Sequence, residues 1–216
     1  MPAALSNGLR FRLEEANNFY NGGAKDISNT FASALWGLDF LDWWAAHGAS
    51  GVNFHTGDKV AAGRANRSCW YATFWSSARG YDVHPIGYAI KAFNLGGHGR
   101  VEPLTISNPD GVNLTAYARR EGENLFVTIL NKDHGAGART AKVTIVPPGI
   151  PAGASVIFLS APDNHAAAKT GVTLGGASIT DHGWEGQWTP LAADRTGQCA
   201  LDVPATSAAI VKLSLP

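Results

Sequence analysis

A glutamate at the end of a short alternating segment is the residue of this chain best placed to do chemistry. Apolar and charged residues alternate through residues 9–15, which is the period of a β-strand, and Glu15 closes the segment. Asn17 and the pair Gly22-Gly23 then begin a loop. A carboxylate at such a place can take part in glycoside hydrolysis, which with retention needs two carboxyl groups about 5 Å apart. The common alternative for a glutamate at a strand end is a solvated or helix-capping side chain.

The alternation also predicts which side chains share a face of this strand. One face is expected to carry Leu9, Phe11, Leu13 and Glu15, and the other Arg10, Arg12 and Glu14. On this basis Glu14 is expected to pair with an arginine, and Glu15 is the carboxylate that faces a site.

Strands and helices are predicted to alternate through residues 1–98. A helix is predicted over residues 30–47, where apolar residues recur at helical spacing, and a short strand over residues 51–55. Residues 56–82 are expected to form a long loop, and Pro85 suits the first turn of a helix that ends near Leu95. Strand, helix, strand, helix is a βαβα unit of a parallel α/β fold. Two parallel strands cannot make a sheet that is covered on both faces, so further strands are expected to complete it.

Residues 99–216 are predicted to be all-β. A hairpin is expected from residues 113–119 and 125–130, around the turn residues 121–124, and further strands from residues 141–146, 155–159, 172–174, 178–180 and 208–213. Many short strands separated by glycine and proline are typical of an antiparallel β-sandwich. The predicted fold class is therefore α/β followed by all-β.

Four segments of the first part resemble glycoside hydrolase family 79, which includes β-glucuronidases and heparanase. They are RLEEANNFYNGG at 12–23, SNTFASALWGLD at 28–39, GVNFH at 51–55 and PIGYA at 85–89. In the second part, residues 115–118, 129–133 and 207–211 also resemble the family, although these segments are less specific than the first two. The resemblance therefore covers nearly the whole chain. It implies that residues 1–98 are the last two βα units, strands 7 and 8, of a (β/α)8 catalytic barrel and that residues 99–216 are its C-terminal β-sandwich.

By this resemblance Glu15 is the catalytic nucleophile, because its spacing to Tyr20 and Gly22-Gly23 matches the family. The family's proton donor follows an asparagine at the end of the fourth strand, and no Asn-Glu pair occurs in this chain. The other glutamates, Glu102, Glu121, Glu123 and Glu185, all fall in the all-β part. The implied function is a fragment of a retaining β-glucuronidase that is inactive alone. Two alternatives stay open, a non-catalytic carbohydrate-associated sandwich with a vestigial barrel remnant, or one half of a split glycosidase whose partner chain supplies the other strands.

Four further residues are candidate substrate contacts. The resemblance suggests that Tyr20 binds the C6 carboxylate of the substrate, to which a phenol hydroxyl can donate; packing beneath the loop is the alternative. His55 ends the second strand, where it can orient Glu15 or touch the sugar, or be a structural histidine. Asn17 and Asn53 are the weaker candidates. The loop aromatics Trp70, Tyr71, Trp75 and Tyr81 suit either a sugar subsite or packing between the two parts.

Composition excludes several other classes of function. The 17 basic and 17 acidic residues balance, with no basic run to bind nucleic acid, and no stretch reaches the ~20 apolar residues of a membrane span. The seven histidines show no metal-site spacing, so we expect neither a metal nor a cofactor.

Cys69 and Cys199 are expected either to form a disulfide or to remain as two buried thiols. Residues 1–7 show no signal peptide and the compartment stays open, although the family's full-length enzymes are usually exported or lysosomal.

Overall fold

A computed structural model describes residues 2–62, 64–78 and 80–216. The first part contains helices α1 (Pro2–Ser6), α2 (Phe31–Ala46) and α3 (Pro85–Leu95) and strands β1 (Phe11–Ala16), β2 (Ala49–Phe54), β3 (Lys59–Ala62), β4 (Arg64–Ser68), β5 (Phe74–Ser77) and β6 (Gly80–Val83). The second part contains β7 (Arg100–Glu102), β8 (Leu114–Glu121), β9 (Asn124–Asn131), β10 (Ala141–Ile145), β11 (Gly153–Ser160), a 3-10 turn at Pro162–Asn164, β12 (Thr173–Leu174), β13 (Thr189–Pro190), β14 (Cys199–Val203) and β15 (Ser207–Ser214).

The predicted strand–helix–strand–helix order is present in the first part. Strands β1 and β2 pair in parallel, and α2 connects them. Helix α3 begins at Pro85, whose missing N–H group costs nothing in a first turn. The segment predicted as a loop contains two antiparallel hairpins, β3–β4 and β5–β6. The loop prediction was wrong there because strands of four or five residues are too short to show a clear alternation.

The second part is an antiparallel sheet of seven strands in the order β12-β11-β15-β9-β8-β7, with β13 also paired to β11. The predicted hairpin is present as β8 and β9, which pair from Leu114 with Asn131 to Glu121 with Asn124. A separate antiparallel pair, β10 with β14, packs on one face of this sheet. The antiparallel β architecture of this part is therefore confirmed.

The seven-stranded sheet has a hydrophobic core on each face. On one face, residues of α2 and α3 such as Phe31, Leu38 and Tyr88 join Leu130 and Ile210 of the sheet in one buried cluster. On the other face, apolar residues of the sheet form a second cluster with β10 and β14. The sheet thus carries two helices on one side and two strands on the other, and the first core belongs to both parts of the chain.

Two acidic residues of α2 fasten the helix to the sheet. Asp39 accepts hydrogen bonds from the Thr115 hydroxyl at 2.7 Å and the Tyr117 hydroxyl at 2.8 Å, and its other oxygen lies 2.8 Å from Lys132 Nζ. Asp42 forms an ion pair with Arg119 in which both side chains are buried. Burial lowers the pKa of Arg119 to about 10, so it remains protonated at neutral pH.

Backbone groups from the sheet part also cap α2. The N–H groups of Phe31 and Ala32 donate to the carbonyls of Ala168 and Ala166 at 2.7 and 2.8 Å. Thr30, at the N-cap position, makes no side-chain cap. The loop at residues 166–168 therefore supplies hydrogen bonds that the first turn of a helix cannot make internally.

Both cysteines are free and buried. Burial raises the pKa of each thiol, so both are protonated at neutral pH. No helix in the described part of the chain is long and apolar enough to cross a membrane.

We expect Arg119→Met to lower the free energy of unfolding by about 3–5 kcal/mol, because it leaves Asp42 as an unpaired buried carboxylate. Urea denaturation of the whole chain measures this loss. The double variant Asp42→Leu/Arg119→Met should recover most of it, since no buried charge is then left alone.

Arg100→Met is the matched control for this prediction. Arg100 also pairs with a carboxylate, Glu102 at 2.7 Å, but its side chain is 79% exposed. We expect this variant to cost only about 0–1 kcal/mol. Equal losses for Arg119→Met and Arg100→Met would show that the buried pair does not anchor α2.

Candidate active site

Glu15 is exposed near the carboxyl end of β1, beside an irregularity in the strand pairing. Leu13 pairs with Val52 and Ala16 with Phe54, so β1 advances by three residues while β2 advances by two. Such a bulge leaves one extra residue and breaks the alternation of side chains.

The face predicted for Glu15 is therefore wrong. Phe11, Leu13 and Ala16 are partly buried, whereas Glu14 and Glu15 are both exposed. Phe11 packs on Trp44 of α2 at 6.2 Å between ring centroids, which marks the partly buried side as the helix side. Because the bulge places both glutamates on the open side, alternation no longer separates them.

The predicted pairing of Glu14 with an arginine is not what the structure shows. Arg12 donates instead to Asn53 Oδ1, from Nε at 3.0 Å and also from Nη2. Gly51 makes this possible, because a Cβ there would lie 2.5 Å from Arg12 Nη1. Asn53 thus lies on β2 with its side-chain oxygen bound to Arg12.

His55 and Asn17 meet where β1 and β2 end. The His55 N–H donates to the Ala16 carbonyl at 3.1 Å, and Asn17 Nδ2 donates to the carbonyls of His55 and Tyr71 at 2.8 and 3.2 Å. The Tyr71 hydroxyl lies 3.0 Å from His55 Nδ1. The Asn17 amide therefore uses its hydrogen bonds on backbone carbonyls. The His55 ring is positioned by the Tyr71 hydroxyl through Nδ1, which leaves Nε2 for another partner.

Tyr20 is 85% exposed, so it does not pack beneath its loop. The three residues after it, Asn21, Gly22 and Gly23, all have positive φ angles of 51°, 85° and 85°. The Gly22 carbonyl accepts a hydrogen bond from the Trp70 N–H at 2.6 Å. The two glycines thus turn the chain sharply after Tyr20 and bring it against the segment that holds His55.

Sequence reasoning did not single out two residues that support this end of the strands. Tyr71 was grouped with the loop aromatics, but it is buried and its hydroxyl holds His55. Asn18 donates to Ser33 of α2, and its own side-chain oxygen is buried without a hydrogen-bond partner. Both contacts join residues more than ten positions apart, which a local pattern does not reveal.

The structure therefore brings Glu15, Asn17 and His55 to one end of the parallel pair, and Tyr20 lies in the loop that follows β1. Within the described ranges, no group of three or more His, Cys, Asp or Glu side chains could hold a metal ion. The chemistry available here is that of an exposed carboxylate, a held imidazole and a free phenol.

The sheet part matches a known family. Residues 112–210 match the model of the glycosyl hydrolase family 79 C-terminal beta domain. The resemblance of the chain to the C-terminal part of a family 79 enzyme is thereby confirmed.

Two fungal enzymes named β-glucuronidase share sequence with the chain. The one from Aspergillus niger is 40% identical over 53 residues, which is 24% of this chain and 10% of that enzyme. The one from Neurospora crassa is 46% identical over 43 residues, or 20% of this chain and 8% of that enzyme. The chain therefore matches only a small share of the length of either enzyme.

The fold resembles that of a solved 4-O-α-L-rhamnosyl-β-D-glucuronidase from Fusarium oxysporum 12S. The TM-score is 0.74 at 20% identity, and the match covers 97% of this chain but 44% of that one. At this identity the likeness concerns the fold alone. It extends to both parts of the chain, because nearly all residues are covered.

Gly23→Ala should displace the loop after Tyr20. An added Cβ at Gly23 would lie 2.9 Å from Ser28 Cβ and from the Tyr71 backbone nitrogen. Gly137 has the same φ of 85° but nothing within 4 Å of such a Cβ, so Gly137→Ala isolates the cost of the backbone angle, about 1–2 kcal/mol.

We expect Gly23→Ala to lower the free energy of unfolding by clearly more than Gly137→Ala does, as measured by urea denaturation. Amide NMR signals of residues 69–73 should shift in the Gly23 variant alone. Equal losses of unfolding free energy in the two variants, with unchanged amide signals, would mean that the loop at Gly23 does not pack against residues 69–73.

Proposed function

We propose that this chain carries the nucleophile of a retaining β-glucuronidase-like hydrolase, with Glu15 as that nucleophile. Residues 1–98 contribute the last two βα units of its (β/α)8 barrel, and residues 99–216 are its C-terminal sandwich. The observation that carries the proposal is the exposed carboxylate of Glu15, at the end of a strand that is parallel to β2 and connected to it by α2. Catalytic residues of such barrels stand at the carboxyl ends of strands.

The choice of Glu15 over Glu14 rests on spacing. Tyr20 and the Gly22-Gly23 turn follow Glu15 at the distances seen in the family, and the turn fixes the loop against the His55 segment. The bulge supports the assignment, because bulges beside active sites re-aim a side chain that strict alternation would point elsewhere. Both glutamates are exposed, so a chemical label is needed to decide between them.

A second carboxylate must donate the proton in this mechanism. Glu102 lies in β7, Glu121 and Glu123 lie at the β8–β9 turn, and Glu185 lies between β12 and β13. All four are in the sheet part rather than at the ends of β1 and β2. The donor therefore has to come from residues outside these 216, in the same polypeptide or in a partner chain.

Tyr20, His55 and Asn17 complete the proposed site with different roles, and Asn53 supports it from β2, where its side-chain oxygen accepts hydrogen bonds from Arg12. The exposed phenol of Tyr20 is free to donate a hydrogen bond to a uronate carboxylate. His55, held by Tyr71, offers its second ring nitrogen to Glu15 or to a sugar hydroxyl. Asn17 positions His55, because the Asn17 side-chain amide donates a hydrogen bond to the His55 carbonyl.

The substrate class proposed is a glycan or glycoside that contains glucuronic acid. Both fungal relatives are named β-glucuronidases, and we propose the same class of substrate for this chain. The proposed mechanism requires no cofactor, since the two carboxyl groups perform both steps.

The 216 residues alone should not hydrolyse 4-nitrophenyl β-glucuronide, because the glutamates other than Glu14 and Glu15 all lie in the sheet part and not at the ends of β1 and β2. Release of nitrophenolate by the purified chain, followed by absorbance, measures this. Turnover that disappears in Glu15→Gln would contradict the proposal, since it would mean that the chain supplies its own donor.

With the remaining barrel strands supplied by a longer family 79 polypeptide or a second chain, Glu15→Gln should lower the rate by several orders of magnitude, because no covalent intermediate can form. Glu14→Gln is the matched control, one residue away and equally exposed, and should retain far more activity. A 2-fluoro glucuronide label located by peptide mass spectrometry should appear on Glu15. Label on Glu14 would overturn the assignment.

A further inference from the structure

A cavity of about 620 Å³ lies between the two parts of the chain, away from Glu15. Small-molecule sites have volumes of roughly 300–1,000 Å³ and often occur at such boundaries. Trp75 and Tyr81 of the β5–β6 hairpin and His84, just before α3, form one wall. Residues 169–172 and 179–181 of the sheet part form the other. Glu15, Asn17 and His55 do not line it.

The two walls approach each other closely. Gly80, at the turn of the hairpin, has a φ of 117°, and a Cβ there would lie 2.0 Å from Asp181 Oδ2. The Ile179 N–H also donates to the Tyr88 hydroxyl of α3 at 3.0 Å. The Asp181 carboxylate therefore lies directly against the Gly80 backbone, and the Ile179–Tyr88 hydrogen bond joins the sheet part to α3 at this cavity.

The aromatic wall is oriented before any ligand arrives. The Trp75 indole N–H donates to the Cys69 carbonyl at 3.0 Å, and the His84 ring lies 4.4 Å from the Trp75 ring between centroids. Tyr81 is 55% exposed and meets Phe74 edge to face. Flat aromatic rings with a polar edge suit ligands that have both apolar faces and hydroxyl groups, as sugars do.

Among the described residues that line the cavity, the charges disfavour an anion. Asp82 and Asp181 both line it, while the cation Lys169 is paired with Asp26 at 2.5 Å. Burial lowers the pKa of His84, so its ring is neutral at neutral pH, and its Nδ1 is buried without a hydrogen-bond partner. Carboxylates accept hydrogen bonds from hydroxyl groups but repel a carboxylate ligand.

We propose that this cavity binds a neutral sugar residue, and that it is a site separate from the one at Glu15. The aromatic rings contact the face of the sugar, and Asp82 and Asp181 accept hydrogen bonds from its hydroxyl groups. The proposal does not depend on hydrolysis by Glu15.

Two ligands that differ only at C6 test the proposal, methyl β-D-glucopyranoside and methyl β-D-glucuronide. The isotope-labelled whole chain is titrated with each and followed by NMR. We expect the glucoside to shift the Trp75 indole N–H signal and the amide signals of residues 80–84 and 171–181. The glucuronide should bind about tenfold more weakly at these signals, a difference of about 1.4 kcal/mol.

Variants separate the cavity from other exposed aromatics. Tyr81→Ala should weaken glucoside binding about tenfold, whereas Phe19→Ala, at a residue that is 54% exposed outside the cavity, should leave it unchanged. Asp181→Asn should reduce the preference for the glucoside over the glucuronide.

Absence of shifts at residues 80–84 and 171–181 would overturn the proposal, as would equal binding of the two ligands by the unaltered chain. Glu15→Gln should leave these shifts intact. Failure here is therefore distinguishable from failure of the proposed hydrolase function.

Discussion

The attachment of α2 to the seven-stranded sheet is the contact on which the arrangement of both parts depends. Alternate residues of β8, Thr115, Tyr117 and Arg119, all reach across to Asp39 and Asp42, which are one helical turn apart. Every second residue of β8 faces α2, and residues three positions apart on α2 face β8. The polar side chains of the two elements therefore meet along one line of contact. Burial and the neighbouring Asp39 carboxylate raise the pKa of Tyr117, so it remains a hydrogen-bond donor.

Through this contact the sheet part positions the proposed active site. Helix α2 connects β1 to β2 and packs on one side of them, where Phe54 contacts Trp36 and Phe40. Leu9, which precedes β1, and Phe19 and Tyr20, which follow it, are all exposed. Exposed apolar residues beside a two-stranded sheet are what further barrel strands would cover, which supports the proposal that the donor carboxylate comes from residues outside these 216.

The sequence predicted the elements better than the faces they present. Helix α2 spans Phe31–Ala46 within the predicted residues 30–47, since regular spacing of apolar residues shows a helix directly. The face of Glu15 was mispredicted because a bulge depends on the pairing with β2, which alternation within β1 does not contain. The Asp42–Arg119 pair joins residues 77 positions apart, and only the folded sheet brings them together.

The packing of α2 against α3 links the proposed sugar-binding cavity to the proposed active site. At Gly37 of α2 a Cβ would lie 3.1 Å from Ala89 Cβ and 3.3 Å from Ile86 Cγ1 of α3, so the two helices approach closely there. Helix α3 begins directly after His84, which stands in the wall of the cavity. Its first turn is thus held against the helix that connects β1 to β2. Since a close-packed interior transmits small displacements, a shift of α2 would move the end of β1 and the aromatic wall together.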